Sequence, residues 1–242
     1  VESQRADPLP SAVANRASIL MRHINSEAGG GELYNNEFLS KLGRLRFVPV
    51  HLPPPTHRLE DDGIYVTEEG RDRTDSGSGT GRDDAWSGGV VLMRFEEAAV
   101  PKDRNLVFTA FPVHMAGLMP NQLFWSLLKI QSPPPLDVVL RHVRILTDRH
   151  RQLDRWRYPQ TPVKVFQSLF EFLDENWSKL SPSVMKALKD TPLVPVGARL
   201  IKAGRLFFRL KENLSPFMFE VPRAFGAFDS LFKNLGTTQA PT

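Results

Sequence analysis

A thirteen-residue pattern occurs twice in this chain, and it constrains the fold more than any other feature. Residues 38–50 read FLSKLGRLRFVPV and residues 184–196 read VMKALKDTPLVPV, at a constant offset of 146. Phe38 matches Val184, Leu39 matches Met185, Leu42 matches Leu188, and Val48-Pro49-Val50 matches Val194-Pro195-Val196. Each copy follows a longer amphipathic stretch, with a few residues of slippage. A long helix, a short helix and a V-P-V strand are therefore expected twice. Short apolar stretches also match by coincidence. The alternative is a repeated packing unit of the kind that modular scaffold proteins stack.

Local signals place the elements. Ser11 suits an N-cap, because its hydroxyl can accept from a free backbone N–H. Val13, Ala17, Leu20 and Ile24 then recur at helical spacing over residues 11–25. A short helix over 36–43 carries Phe38, Leu39 and Leu42 on one side, and Phe47 to Val50 reads as a strand. Pro49 removes a ladder donor, so that strand is expected at an edge or near its end. Val90 to Phe95 and Leu106 to Phe111 also read as strands. Leu136, Val139, Leu140, Val143 and Leu146 mark an amphipathic helix. Thr161-Pro162 opens another, with proline at the first helical position, striped by Val163, Phe166, Phe170, Leu173 and Trp177. Ser181-Pro182 opens a short helix with Val184, Met185 and Leu188, and Leu193 to Val196 follows as a strand.

The expected fold class is α+β: helical segments with short strands and two helix-helix-strand units. Residues 1–54 form the first unit. Residues 55–89 are expected to be a mobile loop or insertion, because from Glu68 to Gly89 the chain is mostly Gly, Ser, Asp and Arg. Such a stretch cannot offset its ordering entropy by burial. Residues 90–242 are expected to be a mixed strand and helix segment holding the second unit, continuous with 1–54 as one domain.

With 242 residues and 41% hydrophobic content, the chain is long enough for a real core. It holds no cysteine, which excludes disulfide staples, cysteine-ligated zinc and cysteine nucleophiles. No apolar run approaches the roughly 20 residues that a membrane-spanning helix needs. The start, Val1-Glu2-Ser3-Gln4, reads as a cut in a longer chain. The net charge of +4 is mild and by itself demands neither nucleic acid nor membrane.

One segment departs from that balance. Residues 141–157 hold Arg141, Arg144, Arg149, Arg151, Arg155 and Arg157 against Asp148 and Asp154. A solvated helix face explains such a run. A docking site for an acidic protein partner explains it as well, and these six arginines are the candidate partner-binding residues. Nucleic acid is disfavoured, because aromatic interleaving is limited to Trp156 and Tyr158.

Catalytic signals are weak. Asp75-Ser76-Gly77-Ser78-Gly79 spells D-x-G-x-G, and Glu32 to Asn36 spells E-x-x-x-N, the two halves of a histidine-kinase-like ATP site. The first lies among Arg71-Asp72-Arg73 and Arg82-Asp83-Asp84, and the second just follows three glycines. A chance match in a solvated loop accounts for the first, and the second stands at the mouth of a short helix, the wrong setting for such a site. The six histidines form no ligand cluster, and His142 reads as solvated or capping. The adjacent acids Glu96-Glu97 and Asp174-Glu175 diverge on regular structure and make poor acid/base pairs. No catalytic, cofactor-binding or metal-ligating residues are assigned, and the chain is read as a non-enzyme. The dense C-terminal phenylalanines (Phe207, Phe208, Phe217, Phe219, Phe225, Phe228 and Phe232) are expected in the core or against a following segment of the parent protein.

Several segments, in order, resemble the repeat region of the sacsin-like family. They are Leu45-Arg46-Phe47-Val48-Pro49-Val50, Arg104-Asn105-Leu106-Val107-Phe108-Thr109, and Leu127 to Pro134 leading into Val138-Val139-Leu140-Arg141-His142-Val143. Leu193 to Val196, Leu206 to Leu210 and Leu214-Ser215-Pro216-Phe217 complete the series. They cover most of the chain outside 55–88, and the Gly/Ser/Arg/Asp stretch has no counterpart. The resemblance implies a segment downstream of a histidine-kinase-like ATPase module in a very large cytoplasmic chaperone or co-chaperone scaffold. It implies protein partners, such as chaperones, acidic segments or neighbouring parts of the parent chain; no membrane and no cofactor are expected from the residues themselves. Two alternatives remain at this point. One is a regulatory segment of an ATPase whose nucleotide domain lies outside this chain. The other is a basic nucleic-acid-binding adaptor.

Overall fold

Apolar spacing decides which faces of the helices turn inward. The computed structural model describes residues 11–27, 36–54, 90–115, 117–120, 122, 125–126, 128–153, 156, 158, 161–210 and 217–239. They belong to two compact units, residues 1–138 and 139–242. Both combine helices with small sheets, which makes the protein α+β.

In the first unit, helix α1 (Ser11–Glu27) buries Ala17, Met21 and Ile24, spaced four and three apart. Leu20, expected on that face, is 46% exposed, and Met21 takes its place. The two residues are adjacent, so a stripe rotated by one position selects one and rejects the other. Helix α2 (Asn36–Gly43) buries Leu39 and Leu42 and leaves Phe38 partly exposed. Strand β1 (Val48–His51) follows.

The sheet order is β2-β1-β3, with β2 at Val90–Met93 and β3 at Val113–His114, both antiparallel to β1. The proline-bearing strand is therefore central and not at an edge, but it ends at His51, two residues after Pro49, which was the other outcome expected. The register explains how Pro49 is tolerated there. Val50 faces His114, and Met115 N donates to the Pro49 carbonyl at 3.4 Å just past the end of β3. The donor that proline lacks is thus missing only where the β3 ladder stops. A core of Met21, Ile24, Leu39, Leu42, Val50 and Phe95 lies beneath.

Leu106 to Phe111, read as a strand, is the end of a short helix and the turn after it. Helix α3 (Arg104–Val107) and the turn after it use local bonds: Phe108 N to Arg104 O at 3.0 Å, and Phe111 N to Val107 O at 2.9 Å. The run from Leu106 to Thr109 is buried throughout. A short continuous apolar run fits a buried helix as well as a buried strand.

In the second unit, α4 (Leu136–Leu153) begins at the boundary. Helix α5 (Pro162–Asn176) starts with Pro162 at its first position after extended Thr161. It buries Val165, Phe166, Leu169, Phe170, Phe172 and Leu173, a wider face than a single stripe. Helix α6 (Pro182–Asp190) is capped by Ser181, whose Oγ accepts from Val184 N at 3.4 Å. Strand β4 (Val194–Val196) pairs antiparallel with β5 (Arg199–Ile201). Strand β6 (Leu206–Phe207) pairs in parallel with β7 (Phe219–Glu220). Helix α7 (Asp229–Leu235) ends at Gly236, whose φ of 101° is the left-handed C-cap that favours glycine.

The duplicated pattern is a duplicated arrangement. Each copy runs long helix, short helix, V-P-V strand, antiparallel partner: α1, α2, β1 and β2 in one, α5, α6, β4 and β5 in the other. Leu42 and Leu188 are both buried. At an offset of 149 the α1 stripe Ala17, Met21 and Ile24 falls on Phe166, Phe170 and Leu173, all buried. The slippage between the two offsets is taken up between the long and short helices.

Candidate partner surface

Helix α4 sorts its residues by angle. Val138, Val139, His142, Val143 and Leu146 are buried along one side. Arg141, Arg144 and Arg151 are exposed. At 3.6 residues per turn these three and Asp148 fall within a sector of about 80°. Arg144 Nε lies 3.8 Å from Asp148 Oδ2, an exposed pair worth little to stability. The exposed Asp137, four residues before Arg141, falls in the same sector, so this face presents three guanidinium groups among two carboxylates.

Arg149 belongs elsewhere. It is only 8% exposed, and its Nη1 donates to the Tyr158 hydroxyl at 3.3 Å. The Trp156 ring packs edge-on to Tyr158 and tilts against Phe166. Arg149 thus helps to hold the connection between α4 and α5. Arg155 and Arg157 lie outside the described residues, so the structure brings together three of the six sequence-derived candidates.

The histidines also separate. His142, expected to be solvated, is fully buried. Its place with Val139, Val143 and Leu146 follows from the i, i+3, i+4, i+7 spacing, which outweighs its polarity. His114 is buried in the first unit, and its Nε2 donates to the Phe95 carbonyl at 3.1 Å. Burial pushes its ring down to about 4, against the opposing pull of that bond. His150 Nε2 lies 3.0 Å from the Ala198 carbonyl. Among the described residues no three His, Asp or Glu side chains converge on a metal-sized site.

Of the acidic pairs, Glu96-Glu97 is engaged structurally. Burial raises the Glu97 carboxyl, but bonds from Arg94 N at 2.9 Å and the Arg46 guanidinium at 2.7 Å leave it below the usual range. The D-x-G-x-G at 75–79 lies outside the described residues, and so does the segment 68–89.

The C-terminal phenylalanines divide into two groups. Phe170 is the hub of a ring cluster, with Phe225, Phe228 and Phe232 edge-on at 5.1, 6.0 and 5.3 Å. Phe217 instead stands 86% exposed.

A second basic feature escaped the sequence reading. Arg199, Leu200 and Ile201 of β5 line a groove of about 620 Å³ with Lys202, Arg205 and Phe219. The signal was present: from Thr191 to Lys211 the chain has five basic residues and no acid.

No protein-family profile matches the chain, and no solved structure does. The chain is similar to human Sacsin. The two are 24% identical over 244 residues, which is 92% of this chain. The chain spans about 5% of the length of that relative. Among the described residues, no helix is long and apolar enough to cross a membrane.

Proposed function

We propose that this chain is a non-catalytic scaffold or partner-binding segment of a large sacsin-like protein of the chaperone or co-chaperone type. The observation that carries the reading is the similarity to Sacsin along 92% of the chain. At that coverage the similarity is not confined to any one short site. The exposed Arg141, Arg144 and Arg151 are the recognition surface in this reading. Guanidinium groups grip carboxylates bidentately, which suits an acidic segment of a protein partner.

The test is affinity capture from cell extract with the chain and its Arg141→Glu/Arg144→Glu variant, compared quantitatively. The reading expects a defined set of proteins to be lost from the variant while its circular dichroism is unchanged. Recovery of the same proteins by both forms would reduce the arginine face to a solvated surface. A salt series separates the nucleic-acid alternative, since phosphate-held complexes weaken steeply with salt.

A further inference from the structure

Among the described residues no strand pairs with the outer edge of β5, and the charge along it is mostly positive. Val196 and Arg199 close the hairpin across a two-residue loop, Gly197-Ala198, and Gly197 has a φ of 60°. Such loops put a hydrogen-bonded pair next to the turn. The following pair, Pro195 and Leu200, is then a non-bonded pair, as it must be when one member is proline. Leu200 therefore points its N–H and C=O away from β4. Successive side chains on a strand point to opposite faces. A groove lined by Arg199, Leu200 and Ile201, with no residue of β4, runs along that outer edge.

The charge around the edge is mostly positive. Arg199, Lys202 and Arg205 are exposed, and among the described residues the groove lining holds no acid. Lys202 Nζ lies 3.9 Å from Asp190, but both groups are exposed and the pair neutralises little. A basic edge repels a second copy of itself, which is how edge strands avoid self-pairing. It admits a strand of opposite charge. Leu200 and Phe219 supply apolar contact between the charges.

We propose that this edge takes up an extended acidic segment of a partner protein as an added strand. Main-chain bonds to Leu200 would give affinity, and alternating acidic and apolar side chains would meet Arg199, Arg205 and Phe219. The inference rests on the partner-binding reading and names a site distinct from the α4 arginines.

The experiment is fluorescence anisotropy on the full chain, with a labelled ten-residue peptide alternating Glu with Val or Ile. We expect saturable binding. Arg199→Glu/Arg205→Glu should weaken it by about tenfold or more, as should backbone N-methylation of alternate peptide residues, which removes strand donors without touching the protein. A charge-matched reversal elsewhere, Lys164→Glu/Lys186→Glu, should leave it within about twofold. The proposal is overturned by a lack of saturable binding or by indifference to either the edge charges or N-methylation. Loss on Arg141→Glu/Arg144→Glu alone also overturns it, as does equal competition from a thymidine oligonucleotide. Because the capture experiment reads the α4 face separately, failure here leaves that reading standing or falling on its own result.

Discussion

Arg144 and Arg149 are five residues apart on one helix and do different work. Arg144 is in solvent beside Asp148, while Arg149 is buried against Tyr158. Arg149→Ala should therefore destabilise the chain by about 1–3 kcal/mol, because a charged donor and its packed stem are lost together. Arg141→Glu/Arg144→Glu should change stability by no more than about 0.5 kcal/mol. Urea unfolding distinguishes the two, and equal costs would show that the helix is not divided in this way. His114 adds a pH dependence. Its folded-state pKa of about 4 lies below the ordinary value of 6.5, so the folded chain stays unprotonated where the unfolded chain takes up a proton. That contribution is complete above pH 6.5 and is lost as pH falls towards 4. From this group alone, stability at pH 5 should be roughly 2 kcal/mol below that at pH 7. His114→Gln should flatten that slope; an unchanged slope would assign it to other groups. At this scale the sequence was readable where spacing alone decides. Arg141 and Arg144 share an exposed face because they are three apart. The burial of Arg149 depends on Tyr158, brought in by a later connection that helical spacing cannot foresee.

Elements were legible when they had both a period and a boundary signal. The helices opened by Thr161-Pro162 and Ser181-Pro182 begin where the capping residue and the proline place them. Leu106 to Phe111 had neither, and the continuous burial of Leu106 to Thr109 hid a helical turn. Pro49 was legible only in part: its strand soon ends, but at the centre of the sheet. Proline forbids a donor at one point, and whether a strand is central depends on how far its neighbour extends. The C-terminal elements dock on α5 through rings. Phe232→Ala should cost about 3–5 kcal/mol, since it empties a fully buried site against Phe170. Phe217→Ser should cost less than about 0.5 kcal/mol, because that ring is already exposed. Thermal unfolding of both variants checks this, and a large loss at Phe217 would mean that its ring is covered in solution.

At the scale of the whole molecule, one arrangement is used twice, once in each compact unit. This was the most legible feature, since the same apolar spacing and the same V-P-V strand recur with only helix-length slippage. What each unit adds around it was less legible. The first sets the strand at the centre of three, and the second pairs it once and leaves β5 as a basic edge. The scaffold reading depends on the two copies being equivalent packing modules. The most direct measurement is denaturant unfolding of Leu42→Ala, Leu188→Ala and the double variant. If the copies are equivalent, each leucine is a keystone beneath its strand. Each single change should then cost about 2–5 kcal/mol. The two should add to within about 0.5 kcal/mol, because distant sites without shared partners act independently. A cost near zero at either leucine, with the other intact, would show that the match is a coincidence of apolar residues and would contradict the account.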